Sequence, residues 1–249
     1  MDRYFIDESG HGGDLASAIE LDFSGQPIFS LAAVGIADEA GLLVELERLR
    51  IVHGWGDGEL KASTLGGKLP MFASELTDWL VANDAAVFVE LVEKRYFLAI
   101  HIVNHLLCGR YGLGEVDQSS RSAFAEFLHA REFDAVLLAY LGACRSQSLA
   151  DIRAILNLLW DALDESDEDI ARTLQVLTMY ARDEASSADA QVGTFLPIAG
   201  RKDMALRQAF FDLMDAADPW QATGINLVMS DAVLDRLKIP RTPSAPFVF

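Results

Sequence analysis

The chain has 249 residues, of which 51% are hydrophobic and 23% charged, so it can bury a sizeable core and is not a disordered polymer. Its net charge of −18 counts against a passive nucleic-acid-binding module, though less against a nuclease whose divalent metals supply positive charge at the phosphate, and two cysteines, Cys108 and Cys144, do not make a disulfide framework. The longest apolar stretch, residues 135–144, falls far short of the roughly 20 residues of a spanning helix, and the first residues carry no basic-then-apolar leader, so a cytoplasmic protein with no membrane partner is expected.

Residues 4–8 read as a short buried strand ending on two acids, Asp7 and Glu8. A glycine-rich turn follows at residues 9–13. Residues 28–34 read as a second strand, paired with the first as a long-looped antiparallel hairpin. Asp38 suits the N-cap of a helix reaching Arg50, with Leu42, Leu43, Leu46 and Leu49 on one face. A second helix is expected over residues 69–82, with Phe72, Leu76, Trp79 and Leu80 as its apolar stripe. Residues 86–92 form the strongest strand pattern and run into Glu93 and Lys94. The three strands are expected to be neighbours in one sheet.

From Tyr96 onward the apolar spacing is close to 3.6. It predicts helices near residues 96–108, 120–131, 133–145, 149–164, 168–183 and 203–217. Phe124, Leu128, Leu137, Leu156, Leu159 and Leu177 should be buried. Residues 114–190 hold 15 Asp and Glu against 6 Arg, whereas residues 191–249 balance at 6 and 6. The acidic middle is a poor nucleic-acid face and a better surface for a basic protein partner. The chain closes on Phe247, Val248 and Phe249; that end is expected either to dock as a strand or to precede further sequence of its domain.

Two acidic features stand together. Asp7 closes the opening strand, and Glu59 precedes Leu60 and Lys61 after a glycine-flanked turn. Carboxylates at a strand end can hold Mg²⁺ or Mn²⁺, which take oxygen ligands and keep several waters. A metal-bound water can then attack a phosphodiester, and a neighbouring lysine can hold the phosphate. Acids at strand ends are commonly only solvated caps.

The blocks YFIDESG, FSLAAVGI, ELKAS and VFVELVEKRY, in that order over roughly the first 110 residues, resemble the bacterial family named domain of unknown function 3800. The resemblance implies an RNase H-like α/β fold, a mixed sheet flanked by helices, and a metal-dependent nuclease-type site. By that resemblance Asp7 is the first metal-binding acid and Glu59 the second, while Lys61 and Lys94 match the family's lysines. Of the two further acids that the family carries late in the chain, the nearest counterpart is Asp231, after Met229 and Ser230. The other has no counterpart.

Other motifs favour plainer readings. His101, His105 and Cys108 fall within an arc of about 60° on a helix and are zinc-ligand types. Ile102 stands where a zinc protease needs glutamate, and packed core histidines are expected. Residues 10–13 lack the P-loop pattern, and His11 reads as solvated. Residues 164–169 lack the glycine and closing glutamate of a calcium loop. Trp79 and Trp160 read as core, and both thiols as inert.

The expected architecture is therefore an RNase H-like mixed sheet with a large helical insertion or cap. Residues 1–113 would be the N-terminal part of the domain, 114–217 the acidic helical insertion, and 218–249 a segment returning to the sheet. The expected activity is a divalent-metal-dependent nuclease or phosphodiesterase. Asp7, Glu59 and Asp231 would hold Mg²⁺ or Mn²⁺, and Lys61 would position the phosphate of a nucleic-acid substrate. The alternative is a non-catalytic interaction module, a defence or toxin–antitoxin component with a degenerate or truncated site.

Overall fold

The computed structural model describes residues 3–10, 18–56, 61–109, 116–196 and 224–237. The protein is mixed α/β and mostly helical. Strands β1 (Arg3–Ser9), β2 (Ile28–Ile36), β3 (Ala86–Glu93) and β4 (Gly224–Val228) form one sheet in the order β1-β2-β3-β4. The three strands expected from their apolar runs are thus neighbours. The helix expected over residues 203–217 and the apolar C-terminal triplet lie outside the described residues.

The chain divides into two compact units whose boundary falls within the strands. The first includes β1 up to Asp7 and residues 31–89. Its helices are α1 (Glu39–His53), the short α2 (Ala62–Leu65) and α3 (Leu69–Ala82). Asp38 caps α1 as expected, its carboxylate accepting from Gly41 N at 2.9 Å, and Gly54 closes the helix in the left-handed conformation. Leu49, Leu65 and Phe72 form the core here, with Leu46, Trp55, Leu69 and Leu76 packed against them. Leu43 was expected on the inner face but is 60% exposed. The buried side of α1 is carried by Glu45, Leu46, Leu49 and His53, and at about 100° per residue Leu43 falls outside that arc. The partly inward Glu45 is neutralised by a two-pronged contact from Arg48 at 2.7 and 2.8 Å.

Phe5 and Ile6 of β1 are also exposed, where a buried strand was expected. Among the described residues β1 is the edge strand of the sheet, paired on one side only with β2.

The second unit includes residues 8–30, residues 90–212 and the segment from Leu227. Its helices are α4 (Lys94–His101), α5 (Gln118–Leu128), α6 (Asp134–Ser146), α7 (Leu149–Asp164), α8 (Asp169–Ser186), the short α9 (Val192–Phe195) and α10 (Asp231–Leu237). Phe124, Leu128, Leu137, Leu156, Leu159 and Leu177 are all buried, and no strand interrupts residues 120–183, as the 3.6 period requires. Asp117 and Ser148 cap α5 and α7, accepting from Ser120 N and Ala150 N. The helix expected over residues 96–108 begins two residues earlier. It changes at Ile102–Leu107 to π-helical pairing, with Cys108 N donating to Val103 O at 2.8 Å.

The corner after β1 depends on Gly10. Its φ is +92°, and a Cβ there would lie 2.2 Å from the Ile28 carbonyl oxygen. Gly10→Ala is therefore expected to cost at least about 1–3 kcal/mol through strain alone. A urea midpoint equal to that of the parent protein would show that the corner yields freely.

Candidate functional site

The second unit gathers an acid-rich cluster where β3 passes into α4. Glu93, the last residue of β3, is only 6% exposed. Its Oε1 accepts from His129 Nε2 at 2.7 Å, and its Oε2 accepts from Ser230 N at 2.9 Å and Ser230 Oγ at 2.7 Å. Burial pushes the Glu93 carboxyl upward, but the hydrogen bonds from His129 and Ser230 outweigh it and hold the pKa below the ordinary value. Glu93 thereby fastens Ser230, two residues after β4, and His129 at the end of α5 to the end of β3.

His129 is aimed by Arg95, which donates to the His129 carbonyl at 2.7 Å and to the Ala130 carbonyl at 2.6 Å. Arg95 also pairs with Asp134. The Tyr96 ring meets the His129 ring edge-on, with centroids 5.9 Å apart.

A second pair of carboxylates lies next to this clamp. Ser230 leads directly into α10, whose first residue is Asp231. The Asp231 backbone N–H donates to Glu126 Oε1 at 2.8 Å, and Asp231 itself is exposed. Burial raises the Glu126 pKa, and repulsion from the Asp231 carboxylate adds to it, against the lowering effect of that backbone donor and of His129. Burial likewise raises the pKa of Tyr96, which the charges of Glu126 and Asp231 and a hydrogen bond to Glu126 reinforce. Tyr96 therefore remains a neutral donor toward Glu126. Chemically, this is a partly desolvated acid beside a solvated carboxylate, with a phenol and an imidazole supporting it.

The residues expected from sequence are placed as follows. Asp7 is exposed on β1. Glu59, with the whole turn before it, lies outside the described residues. Lys61 is exposed and leads into α2, its carbonyl accepting from Thr64 Oγ1 at 2.7 Å. Asp231 stands at the start of α10 beside Glu126. Lys94, which the resemblance matches to a family lysine, is fully buried: its Nζ donates to the Gly10 carbonyl at 2.6 Å and lies 5.5 Å from the centroid of the Phe23 ring. Among the described residues, no group of three His, Cys, Asp or Glu side chains is arranged to hold a metal ion.

His101 and His105 are packed core histidines. Their rings stack at 5.1 Å, and His101 also meets Phe97 edge-on at 4.2 Å. Burial drives both toward the neutral form, His105 down to about 4. Burial raises the Cys108 and Cys144 thiols, Cys144 to about 11, which makes both poor nucleophiles.

Sequence reasoning missed Glu93, Glu126 and His129. Glu93 was visible as a charge closing the strongest apolar strand, next to Lys94. Glu126 and His129 sit one turn apart on a predicted helix, and a surface reading covers both. No family model matches the chain, and no curated protein or solved structure matches it.

Proposed function

We propose that this chain is a divalent-metal-dependent phosphodiesterase of the RNase H-like type, acting on nucleic acid. The observation that carries the reading is the Glu126–Asp231 pair, in which a late acid stands beside a second carboxylate whose pKa is raised. Two like charges in such a position favour a cation or a proton between them. The pair suits a Mg²⁺ or Mn²⁺ ion that keeps most of its waters, rather than a closed cage of protein ligands. Such an ion, when bound, lowers the pKa of water and neutralises charge on a phosphodiester.

The chain's own groups have definite parts in this reading. Glu126 and Asp231 attract the cation. Tyr96 holds Glu126 in place, and the Glu93–His129–Ser230 clamp fixes where α10 starts. Asp7, Glu59 and Lys61 enter through the resemblance, as metal-binding acids and a phosphate-positioning lysine.

Titration of the full chain with Mn²⁺ by calorimetry tests the proposal. Saturable binding is expected, with loss in Asp231→Asn, together with cleavage of single-stranded or duplex DNA or RNA that disappears in Asp7→Asn. Absence of Mn²⁺ binding by the parent protein would end the metal reading.

The second reading is a non-catalytic interaction module. It is favoured by the outer half of α1, where Leu43, Val44, Ile51 and Val52 are each at least 60% exposed. A chain that binds no metal and cleaves no nucleic acid fits this reading.

A further inference from the structure

Helix α1 is apolar on both sides. Leu46 and Leu49 turn into the core of the first unit, whereas Leu43, Val44, Ile51 and Val52 face outward, each at least 60% exposed. A helix that is hydrophobic all round is ordinarily covered all round. At about 100° per residue, Val44 and Ile51 fall on the midline of the outer face, about two turns apart along the axis. Glu47 lies about 50° to one side of that midline and Arg48 about 50° to the other, with Leu43 and Val52 farther out on the same two sides. Both charged groups can take a further partner. Arg48 is held by Glu45, through Nε and Nη2, and by Glu75, through Nη2 at 3.2 Å, which leaves the donors of Nη1 over. Glu47 is exposed, and its ion pair with Arg50 is a loose one at 3.8 Å.

We propose that a second copy of this chain covers the face, the two α1 helices packing side by side and parallel about a twofold axis. The charge pattern selects both the occupant and the orientation. In a parallel pair the twofold axis runs along the helices, so the Glu47 side of one copy meets the Arg48 side of the other, and the contact is made twice. Val44 then packs on Val44 of the second copy and Ile51 on its Ile51. That is a seven-residue repeat of β-branched side chains, the type that favours two strands in a parallel pair. An antiparallel pair would set Glu47 against Glu47 and Arg48 against Arg48, juxtaposing like charges. A foreign surface of a single sign would repel one of the two groups, whereas a second copy satisfies both. Glu45 and Glu75 already order the Arg48 guanidinium, so pairing costs it little further side-chain freedom. Four apolar side chains supply less than the roughly 800 Å² per partner of a standard interface, so a reversible dimer with a Kd on the order of 100 µM is expected. The dimer covers the face whether or not the chain binds metal.

Sedimentation velocity of the full chain in the presence of EDTA, at about 5 to 500 µM protein, tests the pairing. The weight-average sedimentation coefficient is expected to climb from the monomer value toward that of the dimer. Ile51→Glu sets like charges on the midline of the face and should weaken association about tenfold or more. Glu47→Lys should weaken it comparably, because a cation then meets Arg48 of the second copy; an antiparallel pair would keep its strength, one like-charge contact replacing another. Both positions are exposed, so the thermal midpoint of each variant should match that of the parent. A parent chain that stays monomeric at about 500 µM overturns the proposal, whatever else covers the face. A dimer that keeps its strength in Ile51→Glu pairs through another surface, and one that keeps it in Glu47→Lys is not parallel; either result overturns the proposal as well. Since no divalent metal is present, this result and that of the Mn²⁺ titration are separate.

Discussion

Glu93→Ala is expected to lower global stability by about 3–5 kcal/mol, the scale for breaking a buried charged pair. The carboxylate is buried and receives three donors, from His129 Nε2, Ser230 N and Ser230 Oγ. Alanine removes the acceptor of all three at once and leaves a cavity beside them. Glu93→Gln keeps one carbonyl oxygen and should recover part of the loss. The dependence on pH follows from the lowered pKa of Glu93. Its contribution is complete above the ordinary glutamate value, near 4.5, and fades as pH falls through the lower folded value. Urea unfolding of the parent and both variants at pH 7 measures the effect. A loss below about 1 kcal/mol in Glu93→Ala would mean that the clamp adds little beyond an ordinary hydrogen bond.

The second large effect is acid lability from the histidine stack. His105 titrates at about 4 in the folded chain against 6.5 ordinarily, and His101 is shifted in the same direction. Below pH 6.5 the unfolded chain takes up protons that the folded chain refuses. Stability is therefore fully present above 6.5 and falls as pH drops toward 4, by about 3 kcal/mol from His105 alone. Glu126 works the opposite way: with its folded pKa raised above 4.5, it contributes stability at low pH that is lost as pH rises through the folded value. The histidine effect extends to higher pH, so the decline should begin near pH 6.5. Replacing His105 with leucine should flatten it, as read from thermal unfolding at pH 7, 6, 5 and 4. An unchanged slope in that variant would show that the ring gains a proton without cost.

Much of this architecture could be read from residue pattern alone, because the relevant forces are local. Short apolar runs bounded by turn signals marked β1 to β3, and a 3.6 spacing marked α5 to α8 together with their buried leucines. Local reading stops where a side chain's partner is distant. Glu93 acquires its role from Ser230, 137 positions later, and no periodicity announces such a pairing. Lysine is almost never fully buried without a partner, and the partners that allow it for Lys94, the Gly10 carbonyl and the Phe23 ring, lie too far along the chain for a local pattern to show. On α1, Leu43 falls outside the arc that Glu45, Leu46, Leu49 and His53 turn inward, and a count of leucines does not reveal which side of the helix is buried.

The π-helical turn at Ile102–Leu107 also says something about chain length. Pairing from i to i+5 accommodates one residue more per turn than α-helical pairing does. The surplus lies between His101 and Cys108, downstream of Tyr96. Loss of one residue from this turn would convert it to ordinary helix while the ends stay in place. The same loss from Lys94–His101 would rotate every later side chain by about 100° relative to Tyr96. Relatives of this protein that differ by a single-residue deletion in this region should therefore carry it in the turn, where a gap in an alignment would record a change of helix type and not the loss of a loop.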